Sequence, residues 1–268
     1  MSQPSRVRGL FLLQFPERHG LCVNATAIPP KSGGTPLPLR DRLGCRLAIG
    51  RVGEDGFPVT IPLSIRHEAT PAECGFATDA DVQEIAGWPR LVTSADPMAV
   101  QDAAEYGGLA ASKREFFRSA GRLALTLGEL QSMIRSDPVA EIAALLVIRA
   151  KGVATGEQLG CALIRRTWSH NLVIDFLANH PELLRAPGTV RGVATGLLYF
   201  VLTLGEALGT GDFWGEATDQ SAAFYRRQFR AMEITDRFVL PPAEQWHFLE
   251  KTRTKWKESG LALNLRLD

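Results

Sequence analysis

The sequence predicts a mixed α/β protein, a sheet flanked by helices, with an additional β-rich region at its N-terminus. Three observations predict it. Between Leu172 and Tyr225 the chain reads strand, glycine-rich turn, apolar helix, strand and helix, in NLVIDFLA, RGVATG, LLYFVLTLGEAL, DFWGEA and SAAFY. Residues 1 to 97 carry short β-type runs separated by Pro and Gly turn signals. Residues from 98 to 150 are instead rich in Ala, Leu, Glu and Arg at helical spacing.

In the N-terminal region the strand candidates are LFLLQF, LCVNATAI, CRLAIGRV and FPVTIPLSI, divided by Pro29-Pro30, Ser32-Gly33-Gly34 and Glu54-Asp55-Gly56. Three helices are expected next, over Met98–Glu105, Ser112–Leu127 and Pro138–Ala150. The last would start at Asp137 as N-cap with Pro138 at the first helical position, and stop at Gly152. Gln158–Thr167 and Asn171–Ala178 read as a hairpin linked by Trp168-Ser169-His170. A helix over Arg191–Leu208 follows, with Gly209 and Gly211 as terminators. Then come a strand at Phe213–Ala217, a helix at Ser221–Phe229 and a strand at Glu233–Leu240 stopped by Pro241-Pro242. Ala243–Ser259 then reads as a charged surface helix. The expected division is an accessory region at 1–97 and a second domain at 98–268, with its core at 138–240.

Composition bounds the function. The chain has 268 residues, 45% of them hydrophobic and 22% charged, which is ordinary for a globular protein. Its 30 Lys and Arg nearly cancel 29 Asp and Glu, leaving a net charge of +1. That balance supplies no general attraction to nucleic acid or anionic membranes. The 4 cysteines have neither zinc nor redox spacing, so reduced thiols in a cytoplasmic protein are expected, with no metal site. The apolar window Leu197–Leu204 is far shorter than a membrane span.

The chemistry concentrates at Arg191-Gly192-Val193-Ala194-Thr195-Gly196. Small residues there allow a tight bend and leave N–H groups free at the positive end of a helix, where a phosphate binds. Asp175 is a carboxylate within an apolar strand, and its two readings are a partly buried base or a partner for Arg165 or Arg166. Strict alternation puts Leu172, Ile174 and Phe176 on one face, with Val173, Asp175 and Leu177 on the other. Glu216 is the second candidate base. Gly215 beside it serves close approach of a substrate, or a bulge.

These junctions resemble the GCN5-related N-acetyltransferase (GNAT) superfamily over residues 138–240. The family's acyl-CoA signature stands here as Arg191-x-x-Ala194-x-Gly196 before Leu197-Leu198. Its later strand and aromatic-Tyr pair stand as Trp214-Gly215-Glu216-Ala217-Thr218, Ser221 and Phe224-Tyr225. Two departures are visible. Pro181 lies ten positions before Arg191, where the family has about three, and Gln228-Phe229 falls one position early for the usual Gly-Phe.

The resemblance implies a splayed sheet and acetyl-CoA, or another acyl-CoA, as donor. It implies that backbone groups of Leu177, Ala178 and Asn179 pair with the pantetheine arm and that Ser221 borders the cofactor. Arg191, Gly192, Val193, Ala194, Thr195 and Gly196 would hold the diphosphate. It implies Tyr225 as proton donor to the leaving thiolate, with Asp175 or Glu216 as base. The acceptor amine would lie on a small molecule, a protein or a charged tRNA, and the near-neutral charge counts against nucleic acid. The N-terminal region would then supply acceptor specificity, a homodimer contact or a protein partner. The competing reading is a non-catalytic GNAT-fold module that binds acyl-CoA or works within a larger complex.

Overall fold

A computed structural model describes residues 59–89, 93–153, 157–229 and 233–258. The chain divides into two units, Met1–Leu47 and Ala48–Asp268, and every described residue belongs to the second. The expected strands LFLLQF, LCVNATAI and CRLAIGRV lie outside the described residues.

The FPVTIPLSI run does form a strand, β1 (Val59–Ile65), and turns back through Arg66 and His67 into β2 (Glu68–Phe76). This hairpin is not part of a separate unit ending at residue 97. β2 is hydrogen-bonded to β3 (Ile142–Arg149), which pairs with β4 (Gln158–Arg166), which pairs with β5 (Leu172–Asn179). Adding β6 (Val190–Arg191), β7 (Phe213–Glu216) and β8 (Arg237–Leu240) gives one eight-stranded sheet in the order β6-β1-β2-β3-β4-β5-β7-β8. Every neighbouring pair is antiparallel except β5 and β7. The expected mixed sheet flanked by helices is therefore present, and it contains one parallel pair.

The helices are α1 (Asp79–Ala86), α2 (Met98–Ser119), α3 (Leu127–Ser136), α4 (Pro181–Arg185), α5 (Val193–Leu208), α6 (Asp219–Gln228) and α7 (Pro242–Glu258). Where two helices were expected between Met98 and Leu127, α2 runs unbroken through Gly107. That glycine is needed because a Cβ there would fall 2.4 Å from the Trp88 ring. The break comes instead at Gly121 (φ +65°), after which Thr126 caps α3 by accepting from the Glu129 N–H.

The helix expected over Pro138–Ala150 is absent: a turn at Pro138-Val139 leads into the strand β3 (Ile142–Arg149). Asp137 closes α3 rather than opening a helix, and Pro138 follows as a breaker. The run IAALLVIR is buried on both faces. Ile142, Ala144, Leu146 and Ile148 pack in the core shared with α5, and Leu145 and Val147 in the core shared with α1 and α2. A strand covered by helices on both sides loses its polar alternation, so periodicity alone does not distinguish it from a buried helix.

α5 is apolar all round because it lies deep in the first of these cores. Leu197 through Leu202 are all buried, and each buried Leu contributes about 1.5–3 kcal/mol. Two glycines let it approach. A Cβ at Gly196 would lie 2.1 Å from the Ile61 Cδ1 of β1. One at Gly160 of β4 would lie 2.8 Å from the Ala178 carbonyl oxygen and 2.9 Å from the Val193 Cγ1. Because that carbonyl belongs to the backbone, Gly160→Ala should cost about 1–3 kcal/mol through overpacking. Thermal melting should show a fall of several degrees, and an unchanged Tm would show that α5 does not depend on this contact.

Candidate functional site

The site begins where the sheet comes apart. β5 and β7 run parallel and pair only as Leu172 with Phe213, Val173 with Trp214 and Ile174 with Gly215. Gly215 makes the last rung possible, since a Cβ there would fall 2.5 Å from the Ile174 Cγ2 and 2.9 Å from the Phe238 Cζ. Its smallness thus serves strand contact rather than substrate approach. Past that rung β5 continues to Asn179 while β7 ends, and a cleft of about 580 Å³ opens between them.

A bulge aims β5 into this opening. Leu163 stands opposite Phe176 and Ile164 opposite Ile174, so Asp175 is the extra residue. The insertion reverses the alternation beyond it. Leu172 and Ile174 pack with Leu177 toward α5, whereas Phe176 and Ala178 pack toward α1 and α2. The uninterrupted alternation expected from the sequence does not hold past Ile174.

Asp175 lines the cleft but is held by cations. Arg165 donates from Nε at 2.7 Å and from an Nη at 2.9 Å, and Lys113 of α2 lies 3.0 Å away. The carboxylate is only 8% exposed, and Arg165 also meets Glu141 at 3.1 Å. Both oxygens are therefore engaged, which is the pairing alternative rather than the base. Glu216, at the end of β7, is exposed and lines the opposite side of the cleft.

At the far end of the cleft stands the N-terminus of α5. Gly192 is its N-cap in the left-handed region (φ +97°), which favours glycine. The amides of Val193, Ala194 and Thr195 make no backbone hydrogen bond among the described residues, as at any helix start. The Gly196 amide is not available, because it donates to the Gly192 carbonyl at 2.7 Å. Gly196 is there to pack on Ile61, not to hold phosphate. Gly192 to Thr195 line a smaller cleft of about 160 Å³, which shares Asn179, Leu184, Ala194 and Phe224 with the larger one.

The nine residues between Pro181 and Arg191 form a wall over this end. His180 caps α4 by accepting from the Glu182 N–H, and β6 adds to the sheet edge beside β1. Leu183, Leu184 and Val190 face the smaller cleft. Arg191, the next residue along β6, lines neither cleft and lies beside Gly188. Asn179 lines both clefts, and its Oδ1 is buried with no hydrogen-bond partner. Such an unmet acceptor is costly unless a ligand N–H reaches it.

Tyr225 closes the middle of the cleft. It is 3% exposed, packs on Phe238 at 4.5 Å between ring centres, and its hydroxyl makes no hydrogen bond among the described residues. Burial raises its pKa, keeping the phenol protonated. Ser221 lines the same cleft, but its Oγ serves the capping box of α6 by accepting from the Thr218 N–H at 2.8 Å.

Sequence reasoning missed Asp102 and Tyr106 on α2, and Asp236 and Arg237 at the start of β8, all of which line the cleft. The α2 signal was legible: Ala99, Asp102, Ala103 and Tyr106 fall on one helical stripe. The pKa of Tyr106 is raised by burial first, then by the charges of Asp102, Glu105 and Glu216. Among the described residues no cluster of His, Cys, Asp and Glu is arranged to hold a metal ion, and no helix is long and apolar enough to cross a membrane. Cys74 and Cys161 are free and buried, and burial pushes the Cys161 thiol up to about 12.

No family model matches the chain, and no curated protein matches it by sequence. Its structure is similar to nourseothricin acetyltransferase, at 19% identity over 37% of this chain and 65% of that one, with TM-score 0.30. It is similar to an acetyltransferase of the GNAT family from Staphylococcus aureus Mu50, at 7% identity over 64% and 99% of the two chains, with TM-score 0.38. The PaiA N-acetyltransferase from Thermoplasma acidophilum, in complex with coenzyme A, matches at 11% identity over 63% and 96%, with TM-score 0.36. Each residue's role therefore rests on this chain's own geometry.

One ion pair braces the wall of this cleft. Arg185 of α4 donates to Asp96 through Nε at 3.0 Å and through an Nη at 2.9 Å, ahead of α2. These bonds lower the Asp96 pKa to about 2. A depressed carboxylate contributes stability above its ordinary pKa of about 4 and loses it as pH falls through the folded value. Carboxyl-carbon NMR should therefore show Asp96 titrating at about 2. In Arg185→Gln it should titrate near the ordinary value, and an Asp96 that titrates normally in the unsubstituted protein would remove the brace.

Proposed function

We propose that this chain transfers an acyl group from an acyl-CoA to an amine. The observation that carries the reading is the parting of β5 from β7 into a cleft with free helix amides at one end and a buried phenol at its middle. Each part fits a portion of the donor. The amides of Val193, Ala194 and Thr195 suit a diphosphate at a positive helix end. Alternate backbone groups of Phe176 to Asn179 face the gap instead of a neighbouring strand, so they suit an extended amide-bearing arm. The unmet Oδ1 of Asn179 suits an amide N–H of that arm.

The bound donor supplies a thioester carbonyl, already activated toward nitrogen. What the protein adds is placement and proton handling. Tyr225, kept protonated by burial, holds a proton for the departing sulfur. Glu216 offers a carboxylate in the same cleft for the proton that the acceptor nitrogen releases as its new C–N bond forms and the C–S bond breaks. Asp175, fixed by Arg165 and Lys113, holds the bulge and shapes the wall.

Acetyl-CoA titrated into the full chain by calorimetry should bind, and addition of an amine should release CoA. Binding without release across an amine panel would favour the non-catalytic module, and absence of binding would remove the transferase reading. Tyr225→Phe should lower kcat by about 10²–10⁴-fold with little change in the KM for acetyl-CoA. Stability should hold, because the hydroxyl has no partner to lose. Unchanged turnover would exclude Tyr225 as the donor. Arg191→Ala should leave acetyl-CoA affinity unchanged, and a tenfold loss would place its guanidinium at the diphosphate after all.

A further inference from the structure

The larger cleft extends beyond the residues it shares with the smaller one, and there two aromatic rings line it. Tyr106 comes from α2 and Phe176 from β5. Their ring centres lie 5.9 Å apart at an interplanar angle of 35°. Each ring packs on the core shared with α1 and α2, yet each is only half-buried, and both border the cavity. The bulge at Asp175 brings Phe176 here, because strict alternation would have sent it toward α5 with Leu172 and Ile174.

Ala103 and Ala99 precede Tyr106 by about one and two turns on the same stripe of α2 and line the same cavity. Neither alanine reaches past its Cβ, which leaves room beside the Tyr106 ring, with Asp102 bordering it on the same helix. The Tyr106 hydroxyl makes no hydrogen bond among the described residues. Burial first, then the charges of Asp102, Glu105 and Glu216, raise its pKa, so the phenol stays protonated. The Glu216 carboxylate, at the end of β7, is thus within electrostatic reach of this ring. Glu216 itself makes no ion pair or hydrogen bond among the described residues, although Arg237 stands opposite it across β7 and β8.

We infer that the acceptor is a small amine bearing an aromatic ring, the ring lying against Tyr106 and Phe176 beside the two alanines while its nitrogen meets Glu216. The inference rests on the acyltransferase reading and names the acceptor of that same site. Glu216 keeps its single task there, taking the proton that the reacting nitrogen releases. A cavity of about 580 Å³ is the size for a small molecule. Aromatic rings set edge-on or offset attract one another beyond the apolar area they bury, so this wall favours an aromatic body over a saturated one of equal size. No residue of α2 lines the smaller cleft at the α5 amides, so the donor's diphosphate and the acceptor's ring occupy separate parts of the site.

The test is direct binding to the full chain by calorimetry, with and without saturating CoA. 2-Phenylethylamine should bind about tenfold more tightly than ethylamine and about threefold more tightly than 2-cyclohexylethylamine, which has the same skeleton and no π system. Tyr106→Phe should keep both preferences. Tyr106→Ala should lose the preference over the cyclohexyl amine while leaving CoA affinity unchanged. Equal or tighter binding of the cyclohexyl amine, no binding of any of these amines in either state, or a preference undiminished in Tyr106→Ala overturns the inference. The comparison of amines on the unsubstituted protein decides the matter even where Tyr106→Ala fails to fold. The CoA titration on the same preparations is a separate readout: its failure strikes the acyltransferase reading, whereas failure of the aromatic amine alone leaves that reading standing.

Discussion

Two parallel strands that share only three rungs create the cleft on which the rest of the molecule depends. β5 and β7 stay together as far as Ile174 and Gly215, and they part because β5 carries an extra residue just beyond. The bulge turns Phe176 toward one helical layer and Leu177 toward the other. A glycine at the last rung lets β7 sit close enough for the separation that follows to be abrupt. Asp175, the extra residue, would be poorly placed without a counter-charge. Arg165 and Lys113 supply it from β4 and α2, tying the bulge to both.

The second constraint is how closely α5 lies against the sheet. Gly160 and Gly196 remove side chains where helix and strands would collide. Their effect is to bring the free amides of Val193 to Thr195 beside Asn179 at the end of β5. Packing and binding thus come from the same residues. Gly196 looks like a phosphate ligand in the sequence and is a packing residue in the fold, yet the close packing it permits is what positions the amides one turn earlier. The α4 and β6 insertion closes this end with apolar side chains and carries Arg191 off to the sheet edge. Diphosphate binding would accordingly rest on main-chain groups and the helix dipole rather than on a guanidinium.

Local signals were strong where one element decided its own structure. The hairpin at Trp168–His170, the glycine-capped α5, the β7 strand and the Tyr225 helix were all legible, because turn chemistry and period act within a few residues. The reading failed at Ile142–Arg149, whose unbroken apolar run fits a helix as well as a doubly covered strand. It also failed at residue 97, because β1 and β2 join strands about seventy residues away and no local pattern reports that pairing. Ser221 and Gly196 were rightly placed at the cleft and at the helix start. Their polar groups proved to be used within their own helices.

By itself the sequence determined the small residues, the turn types, the apolar stretch of α5 and the phenol of Tyr225, since each follows from backbone freedom or hydrophobicity over short range. Only the tertiary structure decided which groups remain free to act. It engaged Asp175, left Arg191 outside both clefts, left Asn179 Oδ1 unmet, and brought Glu216 and Asp236 from the ends of separate strands to one cleft. The physical reason is that availability depends on every neighbour in space, and those neighbours are set by strand pairings and helix contacts between residues far apart in the chain.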